Sequence, residues 1–172
     1  MMGSSFARHA AELLPFCRER GYNDRVALLW DLSRHSGCRR LAVWNFRKGC
    51  AEHVFVVSHG SGSTESHVRS ACARVSNEDG SHLSSEGRAL VAERYTGSYG
   101  VAYRLDGLDE TNASLRPRCV VLHGWRYTTH LPIWPVATVG SWGCPVVSPR
   151  DMEMLDSILQ REQRVVLWAY MD

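Results

Sequence analysis

At 172 residues, with 44% hydrophobic and 22% charged side chains, the chain has the size and balance of one ordinary soluble domain with a core of its own. Its net charge of +2 comes from scattered basic residues, which leaves no footprint for nucleic acid; the Arg39-Arg40 and Arg47-Lys48 pairs read as a solvated hairpin face. No apolar stretch is long enough to span a bilayer, and Met1 through Glu12 lacks the charged-then-apolar profile of a secretory signal.

Phe6, Ala10, Leu13, Leu14 and Cys17 recur near the helical period, so Phe6 to Arg20 is expected to be a helix, with Ser4 or Ser5 capping its start and Gly21 its end. Residues 1–25 are then a helical lead-in to a single domain covering 1–172. Val26–Leu32 and Arg40–Phe46 read as strands. Arg47-Lys48-Gly49 turns into a third, Glu52–Val57, which suggests a hairpin. From Ser58 to Gly87 runs a long stretch rich in Ser, Gly, Asn and His, and a loop of that length inside a domain is usually functional. Further strands are expected at Val101–Leu105, Cys119–Leu122 and Val165–Tyr170. Between the last two, Ser148, Pro149 and Asp151 open a helix whose buried stripe is Met152, Leu155, Ile158 and Leu159. The fold class is mostly β with flanking helices (α+β).

Two pieces of this pattern carry chemistry. His123-Gly124 ends the apolar run Cys119-Val120-Val121-Leu122, and Cys144 lies in the turn Ser141-Trp142-Gly143-Cys144-Pro145. A thiol becomes a strong nucleophile when an imidazole takes its proton, and strand ends and turns are where a rigid scaffold presents such groups. The same residues also suit a plain structural role, because free cysteines are often buried space-fillers. The other cysteines, Cys17, Cys38, Cys50, Cys72 and Cys119, form no Cys-x-x-Cys clip. His59, His67 and His82 lack zinc-type spacing, so no metal and no cofactor is expected.

The His-Gly followed by Ser-x-Gly-Cys resembles the catalytic signature of the L,D-transpeptidase (YkuD-like) domain. Val56-Val57-Ser58-His59-Gly60, Val75-Ser76-Asn77, Gly80-Ser81, Ser84-Ser85-Glu86-Gly87, Tyr95-Thr96-Gly97-Ser98-Tyr99-Gly100, Tyr103 through Leu108, Asn112 and Arg118 fall in the order of that family's murein-acting branch. The similarity runs from about Ala27 to Tyr170. It implies a β-sandwich-like catalytic domain that attacks peptidoglycan stem peptides through a cysteine thioester, with Cys144 as nucleophile and His123 as base. The Gly124 carbonyl would orient the imidazole.

Backbone N–H groups of Trp142, Gly143 and Cys144 are the expected oxyanion donors, since a glycine-containing turn can aim successive amides inward and Pro145 has none to give. His59, Ser76, Asn77 and Ser141 are the candidates for contacting the stem peptide, and Trp125, Tyr127 and Trp134 for a lid. The expected activity is 3→3 cross-linking. The alternatives are an L,D-carboxypeptidase or endopeptidase, which could act as a secreted antibacterial effector, and a non-catalytic wall-binding module. Resemblance also implies acylation of Cys144 by carbapenems and a place in the periplasm or cell envelope, reached by a route that the sequence does not reveal.

Overall fold

The structure, a computed structural model, describes residues 2–172, with side chains from residue 5 onward. Helix α1 (Met2–Arg20) carries Phe6, Ala10, Leu13 and Cys17 on one buried face. It begins ahead of Ser4 and Ser5, so these serines lie in its first turn instead of capping it. Gly21 ends it as expected, at φ +67°, with Tyr22 N–H donating to the Cys17 carbonyl at 2.8 Å.

The strands are β1 (Val26–Asp31), β2 (Arg39–Asn45), β3 (Cys50–Val56), β4 (Gly87–Gly97), β5 (Gly100–Gly107), β6 (Val121–Gly124), β7 (Val146–Val147) and β8 (Val166–Tyr170), with α2 (Pro149–Arg161) between the last two. They make one eight-stranded sheet in the order β3-β2-β1-β8-β4-β5-β6-β7. The β1–β8 and β6–β7 pairs are parallel and the others antiparallel. Just past β3, Ser58 and Val146 exchange backbone hydrogen bonds of 2.7 and 3.3 Å, so the two ends of the sheet meet. A single sheet closed in this way supplies the sandwich-like body.

Every residue of β1 is buried, because the sheet is covered on both sides at this strand. Leu28 and Trp30 enter the enclosed core, while Ala27 and Leu29 face outward against α1. Fully burying a leucine contributes about 1.5–3 kcal/mol, so α1 adds to the stability of this strand as well as covering it. Among the described residues, no helix is long and apolar enough to cross a membrane.

Strand β4 is one that sequence periodicity did not reveal. Its first half, Arg88-Ala89-Leu90-Val91-Ala92-Glu93, is rich in good helix formers, and neighbouring strands on both sides override that local preference. The solvated face expected for Arg39-Arg40 is also half wrong. Arg39 is exposed, but alternation along β2 turns Arg40 inward, where it is fully buried.

Helix α2 starts as its sequence suggests. Asp151 N–H donates to the Ser148 hydroxyl at 3.1 Å, Pro149 occupies the first turn, and Met152, Leu155, Ile158 and Leu159 join the enclosed core. The helix lies close on β6. A Cβ at Gly124 would stand 3.0 Å from that of Met152 and 3.3 Å from the Pro149 Cα. Glycine after His123 therefore lets α2 brace the end of β6.

Candidate active site

Strand pairing brings the histidine and the cysteine together. His123 of β6 is registered against Val146 of β7, two residues beyond Cys144, and both His123 and Cys144 line one cleft of about 580 Å³. The cleft also presents Tyr99, Arg118, Cys119, Trp125 and Trp142. A neighbouring cleft of about 590 Å³ shares the walls Tyr99 and Trp125 and runs along α2 past Met152 and Glu153.

His123 is 6% exposed, and its Nδ1 lies 3.0 Å from the carbonyl oxygen of Gly124. A carbonyl can only accept, so Nδ1 carries the proton and Nε2 is left with its lone pair. Burial pushes the basicity of His123 down, and the Gly124 carbonyl partly opposes that. The Cys144 thiol is pushed up by burial, against the Val121 N–H, which meets Sγ at 3.4 Å, and the positive charge of Arg118. Burial thus disfavours the charged form of both groups, which line the same cleft.

The turn carrying Cys144 is tied down from several directions. Ser141 Oγ donates to the Cys144 carbonyl at 2.6 Å and accepts from Gly143 N–H at 3.2 Å. Ser141 N–H donates to the His59 carbonyl at 2.9 Å, and the Ser84 hydroxyl donates to the Gly143 carbonyl at 2.9 Å. Gly143 sits at φ +115°, where an added Cβ would approach Leu83 O to 2.8 Å, so only glycine fits. Of the three expected oxyanion donors, Gly143 is already engaged by Ser141. The N–H groups of Trp142 and Cys144 have no acceptor among the described residues.

Ser141 lines the cleft, yet its hydroxyl holds the turn. His59, Ser76 and Asn77 depart from the expected polar wall, because none of them lines the cleft. His59 is fully buried, its Nδ1 2.6 Å from the Arg40 guanidinium and its Nε2 2.9 Å from Ser70 Oγ. Its basicity falls to about 3, first through burial and then through the Arg40 charge. Burial in turn lowers Arg40 to about 9. The Ser76 hydroxyl accepts from Glu78 N–H at 3.1 Å, and Asn77 bridges the Glu110 carbonyl and Ser114 N–H at 3.3 and 3.0 Å. These are loop-closing bonds of the kind Ser and Asn commonly make.

Trp125 and Tyr127 pack edge to face at 4.9 Å between ring centres, with His67 4.5 Å from Tyr127. Trp134 does not join them. It is 66% exposed, lines neither cleft, and sits where residues 133–136 pack against Gly37. All six cysteines are free, and among the described residues no three His, Cys, Asp or Glu side chains gather around a cation.

Sequence reasoning gave no role to three features of the cleft. Arg118 clamps the polar loop by donating to the carbonyls of Ser76 and Leu83 at 3.0 and 2.7 Å and to the hydroxyls of Ser81 and Ser85 at 3.1 and 2.8 Å. His82 stacks on Trp142 with ring centres 4.7 Å apart. Tyr99 stacks on His123 at 4.6 Å. The only available signal for Tyr99 was an aromatic residue placed at a Ser-Tyr-Gly hairpin tip.

A thiol and an imidazole with a bare Nε2 line one cleft, and two N–H groups of the turn that carries the thiol are unengaged; groups of these kinds have the chemistry that nucleophilic acyl transfer requires. The L,D-transpeptidase catalytic domain family matches residues 4–170, and the chain belongs to that family. Among solved structures it is similar to the Ldtfm–avibactam carbamoyl enzyme, with 12% identity and a TM-score of 0.50 over 85% of this chain and 49% of the other. A mutant of the helical cell shape determining protein Pgp2 from Campylobacter jejuni gives 11% identity and a TM-score of 0.55, over 88% of this chain and 49% of that one. For an L,D-transpeptidase from Xylanimonas cellulosilytica the values are 15% and 0.48, over 91% and 68%. The chain spans about half the length of the first two, 49% in each case, and at such identities the likeness is one of fold. Among curated protein sequences there is no match.

Proposed function

We propose that this chain is a cysteine acyltransferase that acts on peptidoglycan stem peptides and joins them by 3→3 cross-links. The observation that carries the reading is the pairing of β6 with β7, which sets Cys144 and the Nε2-bare His123 on one cleft within a family of L,D-transpeptidase catalytic domains.

In the first half-reaction, Cys144 Sγ attacks the carbonyl of the third stem residue while His123 Nε2 takes the thiol proton. The tetrahedral oxyanion is met by the N–H groups of Trp142 and Cys144. Collapse breaks the bond to the terminal D-alanine, whose amine leaves with the proton from the imidazolium, and a thioester remains. In the second half-reaction, the side-chain amine of another stem attacks the thioester, gives its proton to His123, and releases the Cys144 thiol with the new amide. General acid–base assistance of this kind is worth about 10²–10⁴-fold in rate. Peptidoglycan lies outside the cytoplasm, so the working protein belongs in the periplasm or cell envelope.

Mass spectrometry of disaccharide-tetrapeptides and cross-linked dimers after incubation tests the reading, with Cys144→Ala as control. New 3→3 dimers that depend on Cys144 support it. Tripeptides or split dimers without new dimers would make water the acceptor and the protein a carboxypeptidase or endopeptidase. No Cys144-dependent change would leave a wall-binding module.

A further inference from the structure

Resting on the proposed function, in which His123 is the base, we propose that Tyr99 is a positioning residue for His123, its ring fixing the imidazole plane and keeping water from one face. Strands β4 and β5 pair down to Gly97 and Gly100, which leaves Ser98 and Tyr99 as a two-residue turn. Gly100 at φ +81° allows so tight a return. Two residues further along, β5 sets Ala102 opposite His123 in register. The hairpin tip thus overhangs β6, and the Tyr99 ring folds back over the imidazole, with centres 4.6 Å apart and planes 23° from parallel. Trp125 meets Tyr99 from the side at 6.5 Å and 78°.

The contact has a specific task. The bond from Nδ1 to the Gly124 carbonyl pins one edge of the imidazole but leaves the plane free to tilt about it. Transfer of the thiol proton needs the Nε2 lone pair, which lies in that plane, to point at Sγ. A ring laid flat on the imidazole removes the tilt. Tyr99 is itself 59% exposed, and its hydroxyl has no partner among the described residues, so the core does not depend on it.

The test combines kinetics with histidine-detected NMR titration of the full chain, the His123 signal being assigned by its loss in His123→Gln. Tyr99→Ala is expected to lower kcat about tenfold, less than loss of the base itself, with KM near the parent value and the melting temperature unchanged. It should also raise the His123 titration midpoint, as water reaches the ring. Tyr99→Phe should restore all of these. Arg118, Cys119, Cys144, His67, His82 and Asp79 face the same cleft and are present in both proteins, so the difference between them isolates Tyr99. A rise in KM alone, an unmoved His123 titration, or a Tyr99→Phe variant as impaired as Tyr99→Ala would overturn the proposal. Activity that survives Cys144→Ala would instead sink the proposed function, and the titration would still report on the Tyr99–His123 contact.

Discussion

The Ser84 hydroxyl donates to the Gly143 carbonyl at 2.9 Å and accepts the Gly60 N–H at 3.0 Å, and Ser84 is fully buried. One side chain therefore joins the long polar loop, the segment after β3 and the turn that presents Cys144. Removing it leaves a buried N–H and a buried carbonyl unpaired, at a cost of about 1–3 kcal/mol. Ser84→Ala is accordingly expected to lower the urea midpoint and, by loosening the turn, to slow acylation of Cys144 by a carbapenem. A variant with parental stability and acylation rate would show that the turn holds its shape without this bond.

Gly143 offers a sharper case, since conformation and space both exclude a side chain there. Its φ of +115° is strained for any L-residue, and the atom an added Cβ would meet at 2.8 Å is the Leu83 backbone carbonyl, which cannot swing aside. Gly143→Ala should cost about 1–3 kcal/mol and abolish acylation of Cys144, because the turn must rebuild to admit the methyl group. Thermal melting and intact-mass detection of the carbapenem adduct read the two effects separately. A stable, fully acylated variant would contradict the geometry.

How much of this was legible in the sequence depended on whether a residue's role was local. The α2 cap, the Gly21 cap, helix α1 and the buried stripe of α2 follow from spacing alone, and the Cys144 turn was recognisable from its glycine and its upstream His-Gly. Strand β4 was not, because a central strand owes its form to neighbours on both sides. The placement of His59, Ser76 and Asn77 off the cleft was hidden for a related reason. A polar residue in a polar loop can face a cleft or tie the loop together, and only the position of Arg40, Glu110 and Ser114 decides between these. Arg118 and Tyr99 reach the cleft from two turns outside the Cys144 loop, which no local pattern encodes.

The burial of His59 makes stability depend on pH. Its folded-state basicity of about 3 lies below the ordinary imidazole value of about 6.5. The unfolded chain therefore binds a proton in a range where the folded protein does not. The stability from this site is complete above about pH 6.5 and is lost as pH falls toward 3, at up to about 1.4 kcal/mol per pH unit. Urea unfolding between about pH 7 and 4.5 should show the loss, and His59→Gln should flatten it. His123 shifts in the same direction, so some slope will remain in the variant. Equal slopes in the two proteins would mean that His59 accepts a proton without leaving its place.

Arg118 joins the two halves of the site, clamping the polar loop while its charge draws the Cys144 thiol down against the larger effect of burial. Without the charge the thiol rises further, and each unit of rise leaves about tenfold less thiolate at neutral pH. Arg118→Met should therefore slow iodoacetamide alkylation of Cys144, followed by peptide mapping to separate it from the other free cysteines. The whole pH–rate curve should also move to higher pH. Arg118→Lys keeps the charge but loses the planar fork, which can reach two carbonyls and two hydroxyls at once. It should hold the curve near its parental position while still lowering stability, because part of the clamp is gone. If Met and Lys variants shift the curve equally, loop anchoring, and not charge, sets the reactivity of Cys144.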